Sequence, residues 1–227
     1  MINPFDKRDE GGGWMLKQER AVITRNQIVK GAAEMFDRAG YERASLAEIV
    51  DLSGITKGAL YFHFKSKDDL ASVVIEEQHA ITMQAVQAIL SSGTPALEQL
   101  AMLCYEMARQ MIEDPIVRAG IRLTLEMSAD GGPRKPYADW VASCEHVARA
   151  AIEEGDVLDT VVPAELGRFI VGAYTGVQLV SNVLTGREDL YERIDQMLTL
   201  LLPGIMPPRR RHKIDRIRAA RWTPAAD

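Results

Sequence analysis

Apolar positions recur at helical spacing along almost the whole chain, and no run of strict alternation long enough for a strand interrupts them. Ile28, Ala32, Met35 and Phe36 stand at i, i+4, i+7 and i+8, a stripe that predicts an amphipathic helix from about residue 18 to a stop at Gly40. Ser45-Leu46-Ala47-Glu48 has the form of a capping box, with Ser45 capping the N3 amide and Glu48 reaching back to the N-cap amide. It opens a short helix that presents Leu46, Ile49 and Val50 and ends near Gly54. Thr56 is the expected N-cap of a third short helix, Lys57 to His63, and Ser66-Lys67-Asp68-Asp69 starts a fourth that reaches about Leu90. Thr94-Pro95 and Asp114-Pro115 each pair an N-cap residue with proline at N1. The Gly- and Pro-rich stretch 130–136 reads as a loop. Helices of about 136–154, 164–185 and 187–202 follow, the last two parted at Thr185-Gly186. The expected fold is all-α, without internal repeats.

Composition adds compartment and class. Apolar residues make up 47% of the chain and charged ones 26%, the balance of an ordinary globular protein. No apolar run approaches the roughly 18–20 residues that span a bilayer, and the N-terminus lacks the apolar core of a signal peptide, so a cytoplasmic protein without a membrane partner is expected. Cys104 and Cys144 show no metal-ligand spacing and read as buried, reduced thiols.

The net charge of −5 conceals an uneven distribution. Residues 16–67 hold nine Lys/Arg against six Asp/Glu, 68–206 hold nine against 21, and 207–227 hold seven against two. A basic front ahead of an acidic body suggests nucleic-acid contact at one end. The expected organisation is a flexible leader at 1–17, a three-helix helix-turn-helix DNA-binding domain at 18–66, an all-helical ligand-binding and dimerisation domain at 67–206 and a basic tail at 207–227. That tail, with Arg209-Arg210-Arg211-His212-Lys213, reads as disordered and solvated in preference to a phosphate-binding arm.

Two short helices parted by Ser53-Gly54-Ile55 and preceded by a longer one form a helix-turn-helix pattern. The second carries Lys57, Tyr61 and His63 on seven residues. Gly58 and Ala59 leave its N-terminus free to approach a phosphate or base edge, while Leu60 and Phe64 form its inward face. Phe36, Gly40-Tyr41, the run 46–50, Gly54 through Phe64 and Lys67-Asp68-Asp69-Leu70 together resemble the TetR-family DNA-binding domain over about residues 18–70. The resemblance implies that Thr56, Lys57, Gly58, Tyr61 and His63 face the major groove or its phosphates. It also implies that Ser45 and Lys67 contact backbone and that Thr24 and Arg25 sit near phosphate. Plainer readings stand beside these: Tyr61 packed on the first helix, His63 satisfied in a turn, Lys67 a solvated charge.

In the body, Gln78, Thr82 and Gln84 interrupt an apolar helix, Tyr137 and Trp140 lie three apart, and Thr175 and Gln178 stand in an otherwise apolar segment. Polar groups of this kind suit an apolar pocket with oriented hydrogen bonds, or simply a satisfied core. The segments 114–117, 119–123, 137–140, 171–178 and 185–190 are similar to the γ-butyrolactone-type autoregulator receptors of actinobacteria, a TetR branch that includes butenolide and furan receptors. That similarity implies a lactone-like inducer against Trp140, hydrogen-bonded by Gln78, Thr175 and Tyr137. It implies a repressor that binds operator double-stranded DNA as a homodimer and is released by the signal, with control of antibiotic or secondary-metabolite genes. A TetR-type repressor answering to an antibiotic or efflux substrate is the alternative.

The expected subunit interface is a four-helix arrangement built on Leu166, Phe169, Ile170, Ala173 and Val177 with Ile194, Met197, Leu198 and Leu201. No nucleophile elbow, metal cluster or phosphate loop occurs in the sequence, so no catalytic residue, metal or cofactor is expected. His79, Glu145 and His146 are scattered on helices and read as surface or core.

Overall fold

The structure, a computed structural model, describes residues 10–224. Residues 1–9 of the expected leader lie outside the described residues. Among the described residues there are ten α-helices and no strand: α1 (Glu10–Arg43), α2 (Leu46–Ser53), α3 (Lys57–His63), α4 (Lys67–Leu90), α5 (Ala96–Glu113), α6 (Pro115–Glu126), α7 (Lys135–Glu153), α8 (Pro163–Thr185), α9 (Leu190–Ile205) and α10 (Ile214–Ala219). Short 3-10 turns lie at Met127–Asp130 and Pro208–Lys213. No helix among them is long and apolar enough to cross a membrane.

Two boundaries of the first helix differ from expectation. It begins at Glu10, ahead of residue 18, so residues 10–17 of the leader expected to be flexible are helical. It does not stop at Gly40 but breaks there, at φ 77° and ψ 177°, and resumes for one turn to Arg43. Only glycine adopts that backbone without strain.

Side-chain caps set the next helices. Ser45 accepts the Glu48 amide at 3.3 Å, Thr56 the Ala59 amide at 3.2 Å and Ser66 the Asp69 amide at 3.0 Å. The Glu48 carboxylate takes the Ser45 hydroxyl at 2.6 Å, whereas the reciprocal bond of a full capping box would go to the N-cap amide. Asp114 caps α6 through the Ile116 amide at 2.8 Å, with Pro115 at N1. At α5 the expected Thr94 cap is replaced by a distant one: both oxygens of Glu154 accept the Ala96 N–H at 3.1 Å.

Two cores share the molecule. In the first, Ile28, Ala32 and Phe36 of α1 meet Ile49, Leu60 and Phe64, and the cluster continues into Leu70 and Val74 of α4 and Ala119 and Leu123 of α6. The expected boundary at 66 therefore falls ahead of a helix whose first half packs with the head. The second core joins α5 and α7 to α9 through Leu97, Leu100, Val147, Ile194 and Leu198. Helix α6 presses on α4 so closely that a Cβ at Gly120 would stand 2.3 Å from the Gln78 Cβ. It also grips α1: Arg118 donates to the Asp37 carboxylate at 2.7 Å, Arg122 to the Asp37 carbonyl at 2.7 Å, and Glu126 accepts the Tyr41 N–H at 2.7 Å.

As far as residue 224 the basic tail is folded onto the body, contrary to the solvated segment expected. Asp156, 2% exposed, receives Lys213 at 2.7 Å and Arg210 at 3.3 Å. Arg216 pairs with Glu98 and Arg218 with Asp195, Arg221 lies over the Tyr105 ring at 3.3 Å, and Ile217 is buried. The acidic body supplies the counter-charges that the tail alone lacks, and Ile217 anchors it, with Ile214 and Ala220 packed against the same core.

Candidate DNA-reading face and ligand cavity

The sequence of α3 separates into an inner and an outer face. Leu60 and the following Phe64 are buried in the head core, whereas Thr56, Lys57 and Gly58 are exposed and Tyr61 is 49% exposed. The Lys57 ammonium stands 5.9 Å from the Tyr61 ring, so charge and aromatic surface share one patch. The turn preceding α3 is held by Gly54 at φ 64°, whose N–H satisfies carbonyls at the end of α2. His63 is half-buried, with Phe62 edge-on at 5.1 Å between ring centroids. Phe62 itself is 81% exposed, a large apolar ring on the outer face. It was absent from the expected contacts, although its place beside Tyr61 in a seven-residue helix with one inner face would have revealed it.

The remaining head residues are spread around this face. Ser45 is exposed at the start of α2 and engaged with Glu48. Thr24 and Arg25 lie on α1; Arg25 reaches Glu77 at 3.5 Å and the Phe64 ring at 5.8 Å. Lys67 is internally committed: its ammonium donates to the carbonyls of Tyr41 at 2.9 Å, Ala44 at 3.3 Å and Glu42 at 3.4 Å, and lies 4.3 Å from the Tyr41 ring. It thus neutralises the end of α1, a cation at a helix C-terminus. Tyr41, bonded to Asp68, has its phenol pushed up to about 12 by burial first and by that carboxylate second.

In the body, α4, α5, α7 and α8 enclose a cavity of about 80 Å³, the volume open to the centre of a water molecule. Its wall is mainly apolar, with Ala85, Val86 and Ile89 from α4, Leu100, Met107 and Met111 from α5, and Ile170 and Val171 from α8. Tyr137, Trp140 and Thr175 all stand on this wall; the Tyr137 and Trp140 ring centroids are 4.9 Å apart, nearly edge to face. Burial pushes the Tyr137 phenol up, against a smaller opposing hydrogen bond to Thr175. The Trp140 indole N–H has no partner among the described residues.

Gln78 does not reach the wall. It donates to Thr82 at 3.0 Å, Thr82 donates to Gln110 at 3.1 Å, and Gln110 donates to Glu106 at 2.9 Å, which Arg109 closes with two bonds at 2.7 and 2.8 Å. Thr82, Gln110 and Glu106 are the members that line the cavity. Gln84 of the same helix points outward.

Both thiols also stand on the cavity wall. Desolvation raises Cys104 strongly and Cys144 to about 12, so both are neutral at physiological pH. Cys144 is half-buried, short of the full burial expected. His79 is half-buried on α4, with Nε2 2.8 Å from Asp139 of α7.

On the far side of α8 and α9 lies an open apolar face that carries Phe169, Ala173, Val177, Met197 and Leu201 of the expected interface but not all of its members. Leu166, Ile170, Ile194 and Leu198 point into the core, while Phe169 (58%), Val183 (80%), Leu184 (65%) and Leu200 (82%) are exposed. Both sides of each helix are apolar, and periodicity alone assigns no side to the interior.

Several known proteins share this arrangement. Residues 28–74 match the model of bacterial regulatory proteins of the tetR family, and residues 94–207 match a tetracyclin repressor-like C-terminal domain. The A-factor receptor protein of Streptomyces griseus is 38% identical, over 86% of this chain and 68% of that one. The crystal structure of an ArpA-like γ-butyrolactone receptor is 32% identical and superposes at a TM-score of 0.77, covering 88% of this chain and 96% of that one. CprB of Streptomyces coelicolor, solved in complex with its operator sequence, is 33% identical with a TM-score of 0.75, over 88% and 96% of the two chains. A capped reading helix in front, a cavity behind it, and matches of this extent in both halves make the chain a member of the TetR family of bacterial regulatory proteins.

Proposed function

We propose that the chain is a homodimeric transcriptional repressor that binds operator double-stranded DNA and is released by a small γ-butyrolactone-, butenolide- or furan-type signal. It would act in the cytoplasm, control antibiotic or secondary-metabolite genes, and use binding alone, with no catalytic step or cofactor. The observation that carries the reading is the cavity closed by Trp140, Tyr137 and Thr175 along the second half of the same α4 whose first half packs in the DNA-reading head.

The DNA contacts are assigned to Thr56, Lys57, Gly58, Tyr61 and His63 on α3, with Ser45, Thr24 and Arg25 at flanking phosphates. Phe62 joins them by its exposure, suited to contact with a thymine methyl. Lys67 acts at one remove, by fixing the turn after α1. The α8–α9 face, with Phe169, Val183 and Leu200 exposed, pairs two subunits so that two reading helices meet two half-sites. Ligand in the cavity pushes on α4 and alters the spacing of those helices. To release DNA it must favour the non-binding conformation by several kcal/mol, since about 5.5 kcal/mol moves an equilibrium from 1:99 to 99:1.

A gel-shift titration tests this. Lactone, butenolide or furan extracts are expected to dissolve the operator complex of the wild-type protein and to leave that of Trp140→Ala intact. Persistence of the wild-type complex with every such extract refutes the inducer, and release by an antibiotic or efflux substrate instead establishes the other ligand class.

A further inference from the structure

The break in α1 at Gly40 opens one helical hydrogen bond and leaves both of its halves to α6. In an unbroken helix the Tyr41 N–H would donate to the Asp37 carbonyl, four residues back. Gly40, at φ 77° and ψ 177°, turns that N–H away. The Tyr41 N–H donates instead to Oε2 of Glu126, and the Asp37 carbonyl accepts from Nη1 of Arg122, each at 2.7 Å. Arg122 Nε in turn donates to Oε1 of Glu126 at 2.7 Å. One ion pair of α6 thus stands where the bond of α1 was. It is seated on the bare glycine, where a Cβ would lie 2.5 Å from Arg122 Nη2 and 2.7 Å from Glu126 Oε1.

Arg118 grips α1 from the same face of α6, since 118, 122 and 126 are spaced by four. It donates to the Asp37 carboxylate at 2.7 Å, and to the carbonyls of Ile112 at 2.9 Å and Met111 at 3.2 Å near the end of α5. The bracket is therefore anchored in the body. The head otherwise joins the body through α4 and through apolar contacts such as Ala119 and Leu123. Apolar contact is non-directional and resists separation more than rotation, whereas hydrogen bonds fix direction.

We propose that Arg122 and Glu126 are positioning residues for operator binding, which bridge the break at Gly40 and fix the rotation of the DNA-reading head on the body. The assignment rests on the homodimeric repressor reading above, in which two heads meet two half-sites at once. With one half-site bound, a fixed head presents the second α3 to the other. A loosened head lowers the effective concentration of that second contact.

Fluorescence anisotropy on the full chain tests this with two duplexes at one salt concentration. One is an operator selected on wild-type protein from a random-sequence pool, and the other is a single half-site of it. Arg122→Met removes the guanidinium from both Asp37 and Glu126. In Glu126→Gln the amide NH₂ faces one of the two donors, so either Arg122 or Tyr41 loses its acceptor. The two side chains are 34% and 35% exposed, so neither change opens a buried site, and half-site binding reports that the head is folded. Each variant is expected to bind the half-site within about twofold of wild type and the full operator about tenfold more weakly. Parallel losses on the two duplexes in both variants overturn the proposal by placing the damage in the head itself. No loss on either overturns it by showing that α4 alone sets the direction. Wild type that binds the full operator no better than the half-site overturns the homodimeric reading, and this assignment with it.

Discussion

Replacing Gly120 by alanine tests whether the contact between α4 and α6 is as tight as the geometry implies. The added Cβ would lie 2.3 Å from the Gln78 Cβ, 2.7 Å from its Cγ and 3.3 Å from the Val74 carbonyl oxygen. No rotamer moves the Gln78 Cβ, which the backbone of α4 fixes. Relief requires the helices to part by about 1 Å, loosening Val74, Ala119 and Leu123 in the shared core. Overpacking of this kind costs about 1–3 kcal/mol. Against it stands the gain of alanine over glycine inside a helix, about 0.5–1 kcal/mol. At 2.3 Å the clash belongs in the upper part of that range, about 2–3 kcal/mol, leaving a net loss of about 1–2.5 kcal/mol, which in a domain of this size lowers Tm by roughly 2–10 °C. Thermal melts followed by circular dichroism, at matched protein concentration because a dimer's Tm depends on it, provide the measurement. A variant melting at or above wild type would show that α4 yields freely and that the contact at Gly120 is not tight.

Two further outcomes follow from the ion pairs and the reading face. Lys57→Ala is expected to weaken operator binding at low salt and to reduce the slope of log K against log salt by about one, the signature of one lost phosphate contact; an unchanged slope removes Lys57 from the interface. Asp195 is held below its ordinary value of 3.8 chiefly by the hydrogen bond from Arg218, so it contributes stability above that value that disappears as the pH falls through the lowered one. Asp195→Asn should therefore melt below wild type at pH 7, with the gap narrowing as the pH falls below 3.8; a gap that does not narrow assigns the effect to packing.

The head was legible because its signals are local. Ser45, Gly54, Thr56 and Ser66 each act within four residues, and the caps they form are those the pattern implies. What escaped the sequence depends on partners far away in the chain. The tail reads as solvated until Glu98, Asp156 and Asp195 are brought beside it. Lys67 reads as a free cation until the end of α1 arrives at its ammonium. On α8, Ile170 and Phe169 are adjacent and equally apolar, yet one is core and the other exposed, because the helix is covered on one side only. Gln178 was visible as a polar residue in an apolar run, but its unpaired carbonyl emerges only once the cavity around it is closed.

Because α4 belongs to the head core through Leu70 and Val74 and to the cavity wall through Val86 and Ile89, neither site can change without the other registering it. Linkage makes that dependence symmetrical: whatever factor the signal takes from operator affinity, the operator takes from signal affinity. Repressor seated on DNA is then a poorer receptor than repressor in free solution. The signal concentration that switches a gene rises with the strength of that gene's own operator, so a single receptor can open weak promoters first and strong ones later as the signal accumulates.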